Sequence, residues 1–190
     1  MERASVRPPA PWLLIGIALV GAAVSLAIGL YASEHQPTGQ SILGDGLFFS
    51  ATLNMKAWLA TAFVALALLQ LFTALRMFDR IKFPRQMPSW PPIVHRASGT
   101  LAFLISLPVV YHCVWALGFQ FDDAPTRVAI HGLAGTFFYG AFTAKMLFLQ
   151  VDDLPGLLLP IVGGLTFSLA VAIWLTSGLW FFDNFGFPAF

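Results

Sequence analysis

Apolar residues run along this chain in five long stretches, parted by short polar segments rich in proline, glycine or charge. The stretches cover about residues 12–32, 57–75, 93–117, 127–149 and 156–180, each close to the roughly 20 residues a helix needs to cross the hydrocarbon of a bilayer. Pro37, Gly39, Gly44 and Gly46 break the chain after the first stretch, and Pro84, Pro88, Pro91 and Pro92 precede the third. Asp122 and Asp123 mark a short acidic link before the fourth, and a Gln150–Pro155 turn introduces the fifth. The pattern predicts an all-α fold, a polytopic membrane bundle of about five transmembrane helices that forms a single domain over residues 1–190. The first stretch follows Arg3, Arg7 and a Pro-rich run as a signal peptide would, but its length and the lack of a small-residue cleavage site favour an uncleaved helix. The aromatic tail WFFDNFGFPAF is expected to lie in the membrane interface.

Composition agrees with the pattern. Hydrophobic residues make up 58%, charged residues 10%, and the mean hydropathy is +0.78, so the bilayer is the solvent. A net charge of +1 with no strongly basic face excludes nucleic acid as a partner. Cys113 is the single cysteine, which excludes an intrachain disulfide, a zinc cage and a thiolate-held iron–sulfur cluster, so a bound metal would depend on histidine. Alternating the loops puts Arg3, Arg7, Arg76, Arg80, Lys82, Arg85, Arg96 and Lys145 on one side against Lys56 and Arg127 on the other. The basic excess predicts a cytoplasmic N-terminus and an external C-terminus in a prokaryotic cell membrane.

Ionisable side chains within membrane spans are expensive unless a partner or a function retains them, so the histidines are the first place to look for chemistry. His95 and His112 lie 17 residues apart on the third helix, about 25 Å along its axis, too far for one metal. His112, near the end of that helix, and His131, near the start of the fourth, fall at one level if the two form a tight antiparallel hairpin. Two imidazoles converging at one depth are what a six-coordinate haem iron requires, so His112 and His131 are the expected axial pair of a haem b. Arg127, on about the same face as His131, is placed to hold a propionate, or else to act as an interfacial anchor. Gly99 and Gly135 each follow a histidine by four residues and leave a gap for a flat macrocycle, a spacing that also serves close helix packing. Lys145 and Met146 should fall at the level of His95, and Met77 and Met87 are further candidates for a second, His–Met haem there. The plainer alternatives are a quinone headgroup on His95 and Lys145, or simple hydrogen bonding and snorkelling. His35, in the outer loop, is expected to be solvated or else to back up the outer pair.

The segments HRASGTLAFLISLPVVYHC and RVAIHGLAGTFFYGAFTAK resemble the small b-type cytochromes of the cytochrome b561 and ferric-reductase-like group, and look especially like an uncharacterised actinobacterial membrane-protein family. The resemblance covers chiefly residues 93–149 and implies electron transfer through bis-histidine haem, with His95, His112 and His131 at matching positions. A fourth intramembrane histidine is missing, which leaves one haem as the expectation. The function expected is then an electron-transfer component of an oxidoreductase complex, not an autonomous enzyme, passing electrons between a quinol/quinone pool and an extracytoplasmic redox protein within a respiratory chain. The alternative is a structural or assembly subunit of a larger respiratory or photosynthetic membrane complex, in contact with lipids and other membrane subunits, and lipid- or pigment-binding. Transport ranks below these, because no acidic residue lies within a span.

Overall fold

A computed structural model describes residues 9–40, 49–82, 89–119 and 124–187. Arg3, Arg7, Arg85, Met87, Asp122 and Asp123, together with Gly44 and Gly46, lie outside the described residues.

The described chain is helical, in five rods. They are α1 (Pro11–Glu34), α2 (Thr52–Met77), α3 (Pro91–Tyr111) with a π-helical turn at His112–Ala116, α4 (Thr126–Phe148), and α5 (Leu158–Trp174), which runs through a second π-helical turn at Leu175–Leu179 into α6 (Trp180–Phe185). Four of them, α1, α2, α3 with its π turn, and α5 with its continuation, are long and apolar enough to cross a membrane. The other rod, α4, carries Arg127, His131 and Lys145. It is enclosed between α1 and α5, and the first two of these side chains bond inside the bundle, which lets a less apolar helix be retained. Two boundaries differ from expectation. Helix α2 begins at Thr52 because Asn54 and Lys56, though polar, do not break a helix, and the aromatic tail stays helical to Phe185, ending where Gly186 adopts a positive φ of 73°.

The rods pack in the order α1, α4, α5, α2, α3. Small residues set this order. Gly21 and Ser25 of α1 meet Gly140 and Ala144 of α4: a Cβ on Gly21 would lie 2.7 Å from the Gly140 carbonyl oxygen and 3.0 Å from Ala144 Cβ, while one on Gly140 would run into Ser25 Oγ and the Gly21 carbonyl. Two small-xxx-small faces therefore let the backbones touch, which is how helices associate where lipid removes the hydrophobic drive. On the other flank, Gln70 of α2 donates to the His95 carbonyl and sits 2.8 Å from Ser98 Oγ, tying α2 to α3. Gly99 gives this side chain its room, since a Cβ there would be 3.1 Å from Gln70 Oε1. The gap expected to admit a macrocycle is filled by Gln70.

The tight α3–α4 hairpin is not what forms. Drawn towards α1 and α2 respectively, α4 and α3 face one another mainly through long side chains: Tyr139 OH donates to Ser106 Oγ at 2.9 Å, and Phe103 stacks on Phe142 at 5.0 Å. The interior there is filled by Phe63, Ala67, Ala102, Phe138 and Ala170, with Phe63 edge-on to Phe138 at 5.2 Å. Leu and Ile side chains such as Ile15, Leu19, Leu68, Leu104 and Leu165 point outward, as a lipid-facing surface requires.

Replacing Gly140 by leucine should cost about 1–3 kcal/mol or more through overpacking at the crossing. Gly164, where an added Cβ meets nothing within 4 Å, should accept leucine with little change. Thermal unfolding of both variants in detergent checks the contrast.

Candidate functional site

The polar side chains of the interior gather at two levels. At one, His95 Nδ1 lies 2.8 Å from Thr73 Oγ1. The Thr73 hydroxyl donates to the Leu69 carbonyl at 2.8 Å, so it accepts from the imidazole, and Nδ1 carries the proton. Lys145 reaches this level, within electrostatic range of His95, as the sequence predicts.

At the other level, His131 repeats the arrangement. Its Nδ1 is 3.1 Å from Thr176 Oγ1, and Thr176 donates to the Ala172 carbonyl at 2.7 Å. Again the threonine proton is committed, so His131 donates from Nδ1 and turns a bare Nε2 inward. Nε2 faces Cys113 Sγ at 3.9 Å. Lys56 of α2 also comes within interaction range of this thiol. Thr176 and Cys113 both sit in π-helical turns, at one depth, on two different rods. Single π turns inserted in α-helices often mark functional positions, because they re-aim side chains and release carbonyls from the ladder. Arg127 donates to the Thr176 carbonyl at 2.5 Å, and where the α3 rod ends the backbone amides of Thr38 and Gly39 donate to the Trp115 and Ala116 carbonyls at 3.3 and 3.0 Å.

Beside Cys113 and His131 a cavity of about 70 Å³ opens between α3 and α4, bounded also by α1, α2 and α5. Its walls are almost wholly apolar, among them Val109, Val110, Phe63 and Ile173, with Ser106 and Tyr139 at the far end. Ser106 and Cys113 are seven residues apart on one rod, so the cavity is about 10 Å long. Gly135 lines it, and a Cβ there would meet nothing within 4 Å.

His112 is not brought to this cavity. It is 1% exposed, and its Nδ1 lies 2.6 Å from the Pro108 carbonyl one turn back. Cys113, the next residue, is the one that confronts His131, because the α3 face turned towards α4 carries residues 106, 109, 110 and 113. Arg127 donates to the Thr176 carbonyl, and its guanidinium lies 3.7 Å over the Trp180 ring, a cation–π contact. His35 is stacked between Tyr31, at 5.1 Å, and Trp115, at 4.3 Å, rather than standing in solvent. Among the described residues, no group of three or more His, Cys, Asp or Glu is placed to hold a metal.

Haem fits this site poorly. The oriented Nε2 of His131 is what an axial ligand needs. The thiol of Cys113 stands before it, however, and 70 Å³ is about half the ~150 Å³ cavity that takes up benzene. Four pyrrole rings do not enter such a space.

Residues 14–189 match the family DUF6529, described as a family of unknown function. The chain belongs to this family. No curated protein and no solved structure matches it. The family assignment spans all five rods, the cavity and both histidine–threonine pairs.

The sequence reading passed over Cys113, Thr73 and Thr176. One signal was present: Cys113 adjoins His112 and so shares the level predicted for His131. The threonines gave none, because their partners are 22 and 45 residues away.

The Thr73–His95 bond predicts a measurable coupling. Thr73→Val leaves Nδ1–H unpaired in a buried place, at a cost of about 1–3 kcal/mol. Thr73→Val combined with His95→Phe should cost less than the sum of the two single changes by about 0.6 kcal/mol or more. Equilibrium unfolding of the four proteins in mixed micelles checks it.

Proposed function

We propose that this protein is a membrane subunit that binds a slender apolar guest, the end of a lipid or isoprenoid hydrocarbon chain, inside its helix bundle. The observation that carries the reading is the cavity itself: long for its volume, walled by apolar side chains and bounded by all five rods. Small-molecule sites are concave and mostly apolar, with a few placed polar groups. Here those groups stand at the two ends, Cys113 and His131 at one and Ser106 and Tyr139 at the other. About 70 Å³ spread over this length suits a hydrocarbon chain and leaves no room for a fused ring system.

A non-catalytic subunit of a larger membrane complex, contacting lipid, fits this role. The excess of lysine and arginine on one side supports a cytoplasmic N-terminus and a cell-membrane location. The electron-transfer reading retains one supporting feature, the held tautomer of His131. A quinone could supply the chain, its ring remaining outside the cavity. Haem is not part of the proposal, for want of space.

Gly135 provides the test, because it lines the cavity and a Cβ there meets nothing within 4 Å, so a leucine side chain would grow into the space a guest needs. The expected result is a hydrocarbon-chain lipid or quinone retained by the wild type through mild detergent extraction. In Gly135→Leu, retention should fall at least about tenfold, the amount that about 1.4 kcal/mol of lost affinity represents, with the unfolding temperature kept or raised. Equal chain content in wild type and variant would overturn the reading.

A further inference from the structure

We propose that Cys113 is an acylation site, a thiol that accepts the acyl group of a medium-chain thioester, of a length that the cavity of about 10 Å can hold. This rests on the chain-binding reading above and adds a covalent step to it. Three observations meet at one place. Cys113 Sγ is a nucleophile at the head of an apolar slot and lines it. His131 presents a bare Nε2 to that sulfur at 3.9 Å. The base is in turn oriented by a third group, Thr176, at 3.1 Å from Nδ1, whose own proton is spent on the Ala172 carbonyl. A nucleophile, a base within reach of it and a residue that fixes the base are the recurrent pattern of activated serine and cysteine sites. The first and third members sit in the π turns at His112–Ala116 and Leu175–Leu179. Lys56 adds a positive charge within range of the sulfur, where negative charge develops as the proton leaves.

The step balances without any change of oxidation state. The Sγ–H proton passes to His131 Nε2, and the sulfur attacks the carbonyl carbon of the donor thioester. A carbon–sulfur bond to Cys113 forms and the bond to the donor sulfur breaks. The donor thiol departs with the proton from Nε2. Water is scarce in a slot with these walls, which favours a lasting thioester over hydrolysis. The chemistry selects an uncharged chain attached through an activated carbonyl, since a charged or ring-shaped electrophile would not pass the apolar walls. His131 acts as the base, and Thr176 is a positioning residue.

The experiment is intact-mass spectrometry of the full chain purified from membranes, before and after neutral hydroxylamine, followed by incubation of the hydroxylamine-treated protein with an octanoyl thioester. The expected result is one acyl adduct that hydroxylamine removes and the donor restores, absent from Cys113→Ser. Re-acylation should slow by on the order of a hundredfold in His131→Gln, the usual loss of a general base. It should slow in Thr176→Val and recover in Thr176→Ser. A thiol that stays unacylated from membranes and after the donor, yet reacts with a maleimide in denaturant, would overturn the proposal. If Cys113→Ser then still retains a non-covalent chain, the binding reading survives alone; if neither protein holds a chain, both fall.

Discussion

The contact on which the rest of this bundle depends is the crossing of α1 and α4 at Gly21 and Gly140. Lipid offers helices no hydrophobic reason to associate, so close backbone approach over small residues has to supply the attraction. Because Ser25 Oγ and the Gly21 carbonyl fill the space a side chain at Gly140 would need, α4 is drawn fully onto α1. The Gln70 bonds to His95 and Ser98 draw α3 onto α2 in the same way. Two helices adjacent in sequence are thereby held apart, and the apolar cavity is what remains between them.

The second constraint is that polar groups inside a membrane must find partners within the protein. Both buried imidazoles meet it by one device, a threonine that returns its own proton to its helix and accepts from Nδ1. At His95 the result is a structural tie between α2 and α3. At His131 the same bond does more, because the freed nitrogen faces a sulfur and a cavity instead of lipid. Thr176 and Cys113 reach His131 from two different rods, and the neighbouring Thr176 carbonyl is bound by Arg127.

Much of the fold was legible in the sequence. The five apolar stretches correspond to the five rods, with ends displaced by a few residues where polar but helix-compatible residues such as Lys56 were read as loop. Depth was legible too: His131 shares a level with the end of α3, and Lys145 shares one with His95. What could not be read was rotation and neighbourhood. Whether His112 or Cys113 faces α4 depends on about 100° of helix rotation, set by how α3 packs against α2 through Gln70, which lies outside the hairpin itself. The pairing of α1 with α4 rests on Gly21 and Gly140, two glycines among 16 and 119 residues apart. The haem expectation assumed a tight hairpin and an inward His112, and neither forms.

The arrangement around His131 is the centre of this account, and its protonation pattern tests it most directly. Nitrogen-15 NMR of histidine-labelled protein, with His131→Gln used to assign its signals, reports which ring nitrogen holds the proton. The account predicts neutral His131 with the proton on Nδ1 and a bare Nε2, a preference lost in Thr176→Val. A proton resident on Nε2, or a nitrogen signal broadened by iron, would contradict it.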